Sequence, residues 1–213
     1  MFSSRILLTL PAVLAGACLA TQPALAQPAA PAPTPGRVPA GTGASPAPRP
    51  AVFQKWRRGV QAVTYDTRVV PLGATARVEF SSTGQNLWIR LEVTGLVPRR
   101  AYGAHVHVAE CGPDPKAAGP HFQHRHDPAA TKAKPSADPA YANPANEIWL
   151  DFTTNARGAA TVSREQHWMF PDDQPPKSLI LHAQTTRTGP GVAGTAGDRV
   201  GCLNLPFGYG SGR

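Results

Sequence analysis

Two histidines separated by a single residue are the feature of this sequence most suited to chemistry. They stand at positions i and i+2 in the run Gly103-Ala104-His105-Val106-His107. On a β-strand such residues project from the same face, so both imidazoles could bind one metal ion. The pair therefore predicts a transition-metal site. Surface strands also carry such pairs, and the pair by itself leaves that alternative open.

Further along the chain lie more residues of the kinds that bind metals, anions or each other. They are Cys111, His121, His182, Arg199 and Cys202. These residues are widely separated in sequence, so only a folded domain could bring them to the histidine pair.

The first 26 residues have the pattern of a secretory signal. A basic residue precedes an apolar run over 6–20, and Ala24-Leu25-Ala26 forms an A-x-A cleavage site. The apolar run is too short for a membrane span and is interrupted by Pro11. We expect secretion after cleavage behind Ala26, with lipid attachment at Cys18 as the alternative.

The rest of the chain divides into a linker, one domain and a short tail. Residues 27–50 are rich in Pro and Ala, a composition that buries too little apolar surface to offset the entropy of ordering. We expect a disordered linker there and a flexible tail over 208–213. The residues between them, 51–207, have the length of one ordinary domain.

That domain has the alternating pattern of β-strands. Leu87, Ile89, Leu91 and Val93 alternate with mostly polar residues, which is typical of a half-buried antiparallel strand. A hairpin is predicted from 76–81 and 86–94 around the loop 82–85. No helical periodicity of useful length is present, so we expect an all-β fold, an antiparallel sandwich or barrel with long loops.

Two further strand predictions concern the second half of the domain. Alternating apolar residues over 148–152 and 160–162 flank the turn-forming run Asn155-Ala156-Arg157-Gly158 and predict a second hairpin. The run 178–183 predicts a short strand that delivers His182 at its end.

The cysteines agree with export. After loss of the signal sequence two remain, Cys111 and Cys202, in a chain bound for an oxidising space. We expect a disulfide between them. Closing a loop of about 90 residues would stabilise the fold by about 4 to 5 kcal/mol in the chain-entropy account.

The chain is basic, with a formal net charge of +8. Nucleic acid is not the expected partner, because the basic residues are scattered, no aromatic cluster accompanies them and the chain carries an export signal. A basic surface would attract small anions and could hold the exported protein weakly to an anionic cell envelope.

Five motifs in order resemble those of the copper/zinc superoxide dismutase family, in its secreted bacterial branch. They are Gly103 to His107, Cys111, Ala118-Gly119-Pro120-His121-Phe122, Leu179-Ile180-Leu181-His182 and Gly197-Asp198-Arg199-Val200-Gly201-Cys202. The resemblance spans nearly the whole domain. It implies a Greek-key β-barrel and a Cys111–Cys202 disulfide.

The resemblance also implies a catalytic site. Copper would be bound by His105, His107, His121 and His182, with Arg199 beside it to hold the superoxide anion by a charge-assisted hydrogen bond. His121 matches the family's bridging histidine and would take part in proton transfer. Copper would cycle between Cu(II) and Cu(I) as superoxide is converted to oxygen and hydrogen peroxide.

The sequence departs from the family where zinc should bind. Pro144 stands at the position of the family's zinc-binding aspartate, and Thr186 replaces the aspartate that links the two metal sites. His124, His126 and Asp127 follow His121 too closely for the family's spacing. They could form an improvised zinc site, but a polar loop with exposed histidines is the simpler interpretation.

Copper without zinc is therefore the favoured description. Glu147 is the candidate carboxylate to orient His121 in place of zinc, since metal-binding histidines usually donate their second ring nitrogen to an acceptor.

Three functions are compatible with the sequence. The first is a secreted copper-dependent superoxide dismutase, the second a non-catalytic extracytoplasmic module that binds and buffers copper, and the third a structural β-domain on a stalk. Arg199 favours the first, because a copper buffer needs no anion guide.

Overall fold

A computed structural model of the protein describes residues 49–205. The predicted signal sequence, tail and nearly all of the predicted linker lie outside these residues. The strands are β1 (Ala51–Gln54), β2 (Ala62–Thr64), β3 (Thr75–Thr83), β4 (Asn86–Thr94), β5 (Ala101–His107), β6 (Phe152–Thr153), β7 (Ala160–Gln166), β8 (Ser178–His182) and β9 (Arg199–Asn204). A short 3₁₀ helix spans Pro115–Ala118. Within 49–205 there is no helix that is both long and apolar enough to cross a membrane.

The strands form one nearly closed barrel. Their order in the sheet is β6-β5-β8-β9-β2-β1-β3-β4-β7, and β6 and β7 at its two ends contact each other. The neighbouring strands pair antiparallel except for β1 and β2, which run parallel with Phe53 opposite Ala62. The predicted all-β barrel is confirmed.

The first predicted hairpin is present as β3 and β4. The strands pair from Thr75–Thr94 to Thr83–Asn86, so the connection is the two-residue turn Gly84-Gln85. Gly84 has φ of +60°, a backbone conformation that glycine adopts without a steric penalty. The alternation along β4 also holds, since the apolar residues of its inner face are buried while Trp88 is 45% exposed.

The second predicted hairpin is wrong. β6 pairs with β5, whereas β7 pairs with β4, so the turn over 155–158 connects the two ends of the sheet order. The residues just before β6 lie alongside β5, where Leu150 N–H donates to the Ala104 carbonyl at 2.8 Å. Ile148 and Leu150 are both fully buried there. Alternation identified buried residues but not their strand partner.

Candidate metal centre

β5 positions the histidine pair. Ala104 and Val106 on this strand belong to the hydrophobic core. His105 and His107 alternate with them and therefore project from the opposite face of β5. Both histidines are completely buried, at 0% exposure.

Two other segments bring one histidine each to the pair. His121 follows the 3₁₀ helix and pairs with His107 through an isolated β-bridge. His182 is the last residue of β8, at the point where the register with β9 shifts. One ligating atom from each of the four histidines lies within 4.8 Å of the others, so the structure brings the four predicted copper ligands together.

Hydrogen bonds fix the rings and leave one nitrogen of each available. His107 Nδ1–H donates to the Gly119 carbonyl at 3.0 Å, and His182 Nδ1–H donates to the Gly197 carbonyl at 3.3 Å. Their Nε2 atoms are buried and have no hydrogen-bond partner. Buried polar atoms without partners are costly unless something binds them. This donor set fits a transition-metal ion.

In His105 the available nitrogen is Nδ1, whereas in His107 and His182 it is Nε2. The Nε2 of His105 lies 2.6 Å from Thr186 Oγ1, and its Nδ1 is the buried atom without a partner. Thr186 in turn contacts Asp151, a residue that the sequence analysis did not identify. The cluster is thus oriented from one side by backbone carbonyls and from another by side chains.

His121 is held by a buried carboxylate. Its Nδ1 lies 2.7 Å from Glu147 Oε2, and Glu147 is only 2% exposed. The same carboxylate accepts hydrogen bonds from Trp149 Nε1 at 2.7 Å and from Gln123 Nε2 at 2.8 Å. Glu147 thus lies where the sequence analysis placed a carboxylate. Trp149 and Gln123 carry no sequence signal that points to this contact.

Burial keeps the imidazoles of His105, His107 and His182 neutral. Removal from water lowers the pKa of His105 and of His107 well below 6.5, and the charge of neighbouring His121 lowers it further. The same two causes lower the pKa of His182 to about 3. A neutral imidazole has a free lone pair, which is the form that binds metals.

Arg199 is fixed beside the histidines by two carbonyl groups. Its Nη2 donates to the Gly119 carbonyl at 2.7 Å and its Nη1 to the Pro115 carbonyl at 3.0 Å. Partial burial lowers the pKa of Arg199, whose guanidinium nevertheless stays charged. Gly119 therefore accepts from both Arg199 and His107, which sets the position of the cation relative to the cluster.

A disulfide connects the loop after β5 to β9. Cys111 and Cys202 are bonded across a sequence separation of 91. Cys202 is three residues from Arg199, and Cys111 begins the segment that provides the carbonyls around it. The bond thus ties Arg199 to its acceptors.

A cavity of about 850 Å³ opens over the cluster. Its lining includes His121, His182 and Arg199, together with residues of the loop 126–136 and of 193–197. The cavity therefore borders two of the four histidines and Arg199.

The candidate zinc residues are not members of the four-histidine group. His124 stacks on Trp168 with ring centroids 4.8 Å apart and planes at 8°. His126 is exposed, and Asp127 accepts hydrogen bonds from Ser136 and from a backbone amide of its own loop. Pro144 is exposed and its carbonyl accepts from Gln166 Nε2 at 2.9 Å. Among residues 49–205 the metal-binding group therefore consists of four histidines.

One known protein family matches this chain by sequence. The sequence model of the family described as copper/zinc superoxide dismutase matches residues 74–204. No curated protein matches the chain. Among solved structures, a double mutant of a SOD-like protein from Bacillus subtilis is 19% identical, with a TM-score of 0.44 over 62% of this chain and 88% of that one. The clock protein EA4 is 17% identical, with a TM-score of 0.42 over 62% and 85%.

Proposed function

Because the chain belongs to the copper/zinc superoxide dismutase family, we propose that it is a copper-dependent enzyme that dismutes superoxide. Two superoxide anions and two protons would give one molecule of oxygen and one of hydrogen peroxide. The observation that supports this most directly is the set of four histidines with their available nitrogens, closed in by Arg199.

The histidines would hold the metal through His105 Nδ1 and through the Nε2 atoms of His107, His121 and His182. Bound copper would supply a one-electron Cu(II)/Cu(I) couple, for which imidazole is a suitable ligand in both states. The ring hydrogen bonds and the burial of β5 and β8 would keep His105, His107 and His182 in place in both states.

Arg199 would bind the substrate. Its guanidinium carries more N–H groups than the two that donate to backbone carbonyls, so it could also donate to an anion in the cavity. The formal net charge of +8 would raise the rate at which superoxide reaches the site, and salt would weaken this effect.

His121 would handle a proton. When it is not bound to the metal, its Nε2 would accept a proton and donate it to the peroxide product, while its Nδ1–H continues to donate to Glu147. The three donors on Glu147 keep this carboxylate fixed, so the ring would return to the same position after each cycle.

Copper without zinc is part of the proposal. A histidine that bridges two metals needs both ring nitrogens, and here Glu147 engages Nδ1 of His121. His124 is stacked on Trp168, and Pro144 has no side-chain ligand atom. We expect one copper and well under one zinc per chain.

Metal analysis followed by a superoxide assay tests the function. The secreted chain would be loaded with copper and compared with Arg199→Ala and with Arg164→Ala, which removes the same charge from an exposed position on β7. Loss of a charged hydrogen bond of about 1.5–3 kcal/mol predicts an activity about 10- to 100-fold lower for Arg199→Ala alone.

Three results would overturn parts of the proposal. Stoichiometric copper without turnover in the unaltered chain would leave a copper-binding module in place of an enzyme. An unchanged copper content and Cu(II) spectrum in a His105→Ala, His107→Ala double variant would refute the ligand set. Stoichiometric zinc that is lost on replacing His124, His126 or Asp127 would show that the loop forms a second metal site.

We also propose that the domain is exported. The disulfide supports an oxidising location. The proposal includes the signal sequence 1–26, the linker 27–50, the domain 51–207 and the tail 208–213, with weak adhesion to an anionic envelope. Mass spectrometry of protein from the culture medium should give a mature chain that starts at Gln27, and a lipid on Cys18 would contradict this.

A further inference from the structure

Asp151 is joined to a histidine of the cluster by a chain of hydrogen bonds. His105 Nε2 lies 2.6 Å from Thr186 Oγ1, and Thr186 Oγ1 donates to Asp151 Oδ1 at 2.7 Å. Asp151 Oδ2 accepts from the backbone N–H of Thr186 at 2.7 Å, and Oδ1 accepts from Ala104 N–H at 3.2 Å. The carboxylate is therefore fixed by both β5 and the segment after β8.

The order of donors in this chain determines where the imidazole proton lies. An ionised carboxylate can only accept, so the single hydroxyl proton of Thr186 points to Asp151. The threonine oxygen is then an acceptor, and His105 must donate to it from Nε2. This tautomer leaves the lone pair on Nδ1, the buried atom without a partner. Asp151 thus determines, through two successive hydrogen bonds, which ring nitrogen of His105 is free to bind a metal.

We propose that Asp151 is a positioning residue that acts through Thr186 to hold His105 in its metal-binding tautomer. This inference rests on the metal centre of the proposed function. His107 and His182 donate to neutral backbone carbonyls, whereas His105 is 3.7 Å from the nearer Asp151 oxygen. A nearby carboxylate makes the free nitrogen a stronger donor, so His105 would be the most tightly held ligand of the three.

The backbone explains why a threonine reaches this histidine. Gly103 N–H donates to the Gln184 carbonyl at 2.7 Å, and a Cβ at Gly103 would lie 2.7 Å from that oxygen. The missing side chain lets the segment 184–186 lie directly on β5. Thr186 then reaches His105, which is two residues further along the strand.

Nitrogen NMR of the metal-free full chain tests the tautomer without any metal or assay. We expect the unaltered chain to carry the His105 proton on Nε2, with a slowly exchanging Nε2–H signal. Thr186→Val should lose that signal or show both tautomers, and Thr186→Ser should restore it. Thr185→Val makes the same change at the exposed neighbouring residue and should leave His105 unchanged.

Copper affinity then tests the consequence. In competition with a chelator, Asp151→Asn and Thr186→Val should bind Cu(II) about 10- to 100-fold more weakly, as is typical for loss of a histidine's acceptor. Thr186→Ser and Thr185→Val should bind within about threefold of the unaltered chain. If Asp151→Asn does not fold, the valine and serine variants make the same comparison.

The inference is overturned if His105 carries its proton on Nδ1, or if Thr186→Val matches Thr185→Val in both tautomer and affinity. Failure of the superoxide assay alone would count against the proposed function and not against this inference, because neither readout depends on turnover.

Discussion

The two sides of the barrel are built in different ways. β3 and β4 are each nine residues long and are joined by a two-residue turn, whereas β5 and β8, which carry three of the four histidines, have seven and five residues. We call β1, β3, β4 and β7 the strand half, and β5, β8, β9 with their loops the metal half. In the strand half, β3 and β4 are neighbours in sequence, whereas the metal half brings together histidines from three separate segments of the chain.

The two halves also treat polar groups differently. In the strand half, Glu92 lies near the surface and pairs with Arg77 across β3 and β4 and with Arg90 along β4. In the metal half, histidines and a carboxylate are buried and held by specific donors and acceptors. The strand half therefore depends mainly on apolar burial, and the metal half depends in addition on the protonation of its histidines and on its disulfide.

Acidification should change the free energy of unfolding more than any other treatment, and it should act through the histidines of the metal half. The folded-state pKa values of His105 and His107 lie well below 6.5, and that of His182 is about 3. The unfolded chain therefore binds more protons as the pH falls below about 6.5, and the free energy of unfolding decreases by about 1.4 kcal/mol per pH unit for each histidine.

Urea unfolding of the metal-free chain measures this effect. The free energy of unfolding should decrease steeply from about pH 6.5 towards about pH 4. Equal stability at about pH 7 and about pH 5 would show that the buried histidines do not control the metal half.

Removal of the disulfide is the next largest change. The Cys111→Ser, Cys202→Ser variant should lose about 4 kcal/mol of stability, because the unfolded chain is no longer constrained over a long loop. Activity should also decrease, since the carbonyls that hold Arg199 become mobile. Calorimetry that gives equal melting temperatures would contradict the role assigned to this bond.

A cavity in the strand half should affect stability without affecting the metal. Ile89 is fully buried on β4, and Ile89→Ala should cost about 3 kcal/mol. Trp88→Ala, at the exposed neighbouring position, is the matched control and should cost much less. Copper affinity should be unchanged in both variants, and a tenfold loss in the folded Ile89→Ala chain would show that the halves are coupled.

The smallest effect is expected at the surface of the strand half. Glu92 accepts from Arg77 and from Arg90, which lower its pKa. Because these groups are solvated, Glu92→Gln should change stability by less than about 1 kcal/mol. Chemical unfolding at low and high salt should show that the difference in free energy of unfolding decreases as salt is added. A larger loss of stability would show that the ion pairs of Glu92 are among the main stabilising interactions.

Local patterns predicted the strand half well. The alternation of Leu87, Ile89 and Leu91 gave β4 and its buried face, and the polar residues before it gave the hairpin. The same logic misplaced the segment 148–152, because alternation reports burial and not which strand lies alongside. The parallel pairing of β1 with β2 has no local signal, since it depends on contacts with β9 and β3.

The sequence predicted the metal half only where its residues form a motif with a recognisable spacing. The two histidines of β5 and their likeness to a family motif led to all four members of the cluster. Glu147 followed from the need of His121 for an acceptor. Asp151 did not, because its contact with Thr186 spans 35 residues and no motif records it. Partners at that distance are set by how the loops pack.

The disulfide also determines what happens when a protease cleaves the chain. Lys132 is exposed in the loop 126–136 and is followed by Ala133, so a trypsin-like enzyme could cut the chain there. This loop lies between Cys111 and Cys202, so a single cut leaves both pieces covalently joined. A nicked molecule would keep His121 on one side of the cut and His182 on the other, attached to the same body. The two fragments of a cleaved chain would therefore separate under denaturing conditions only after the disulfide is reduced.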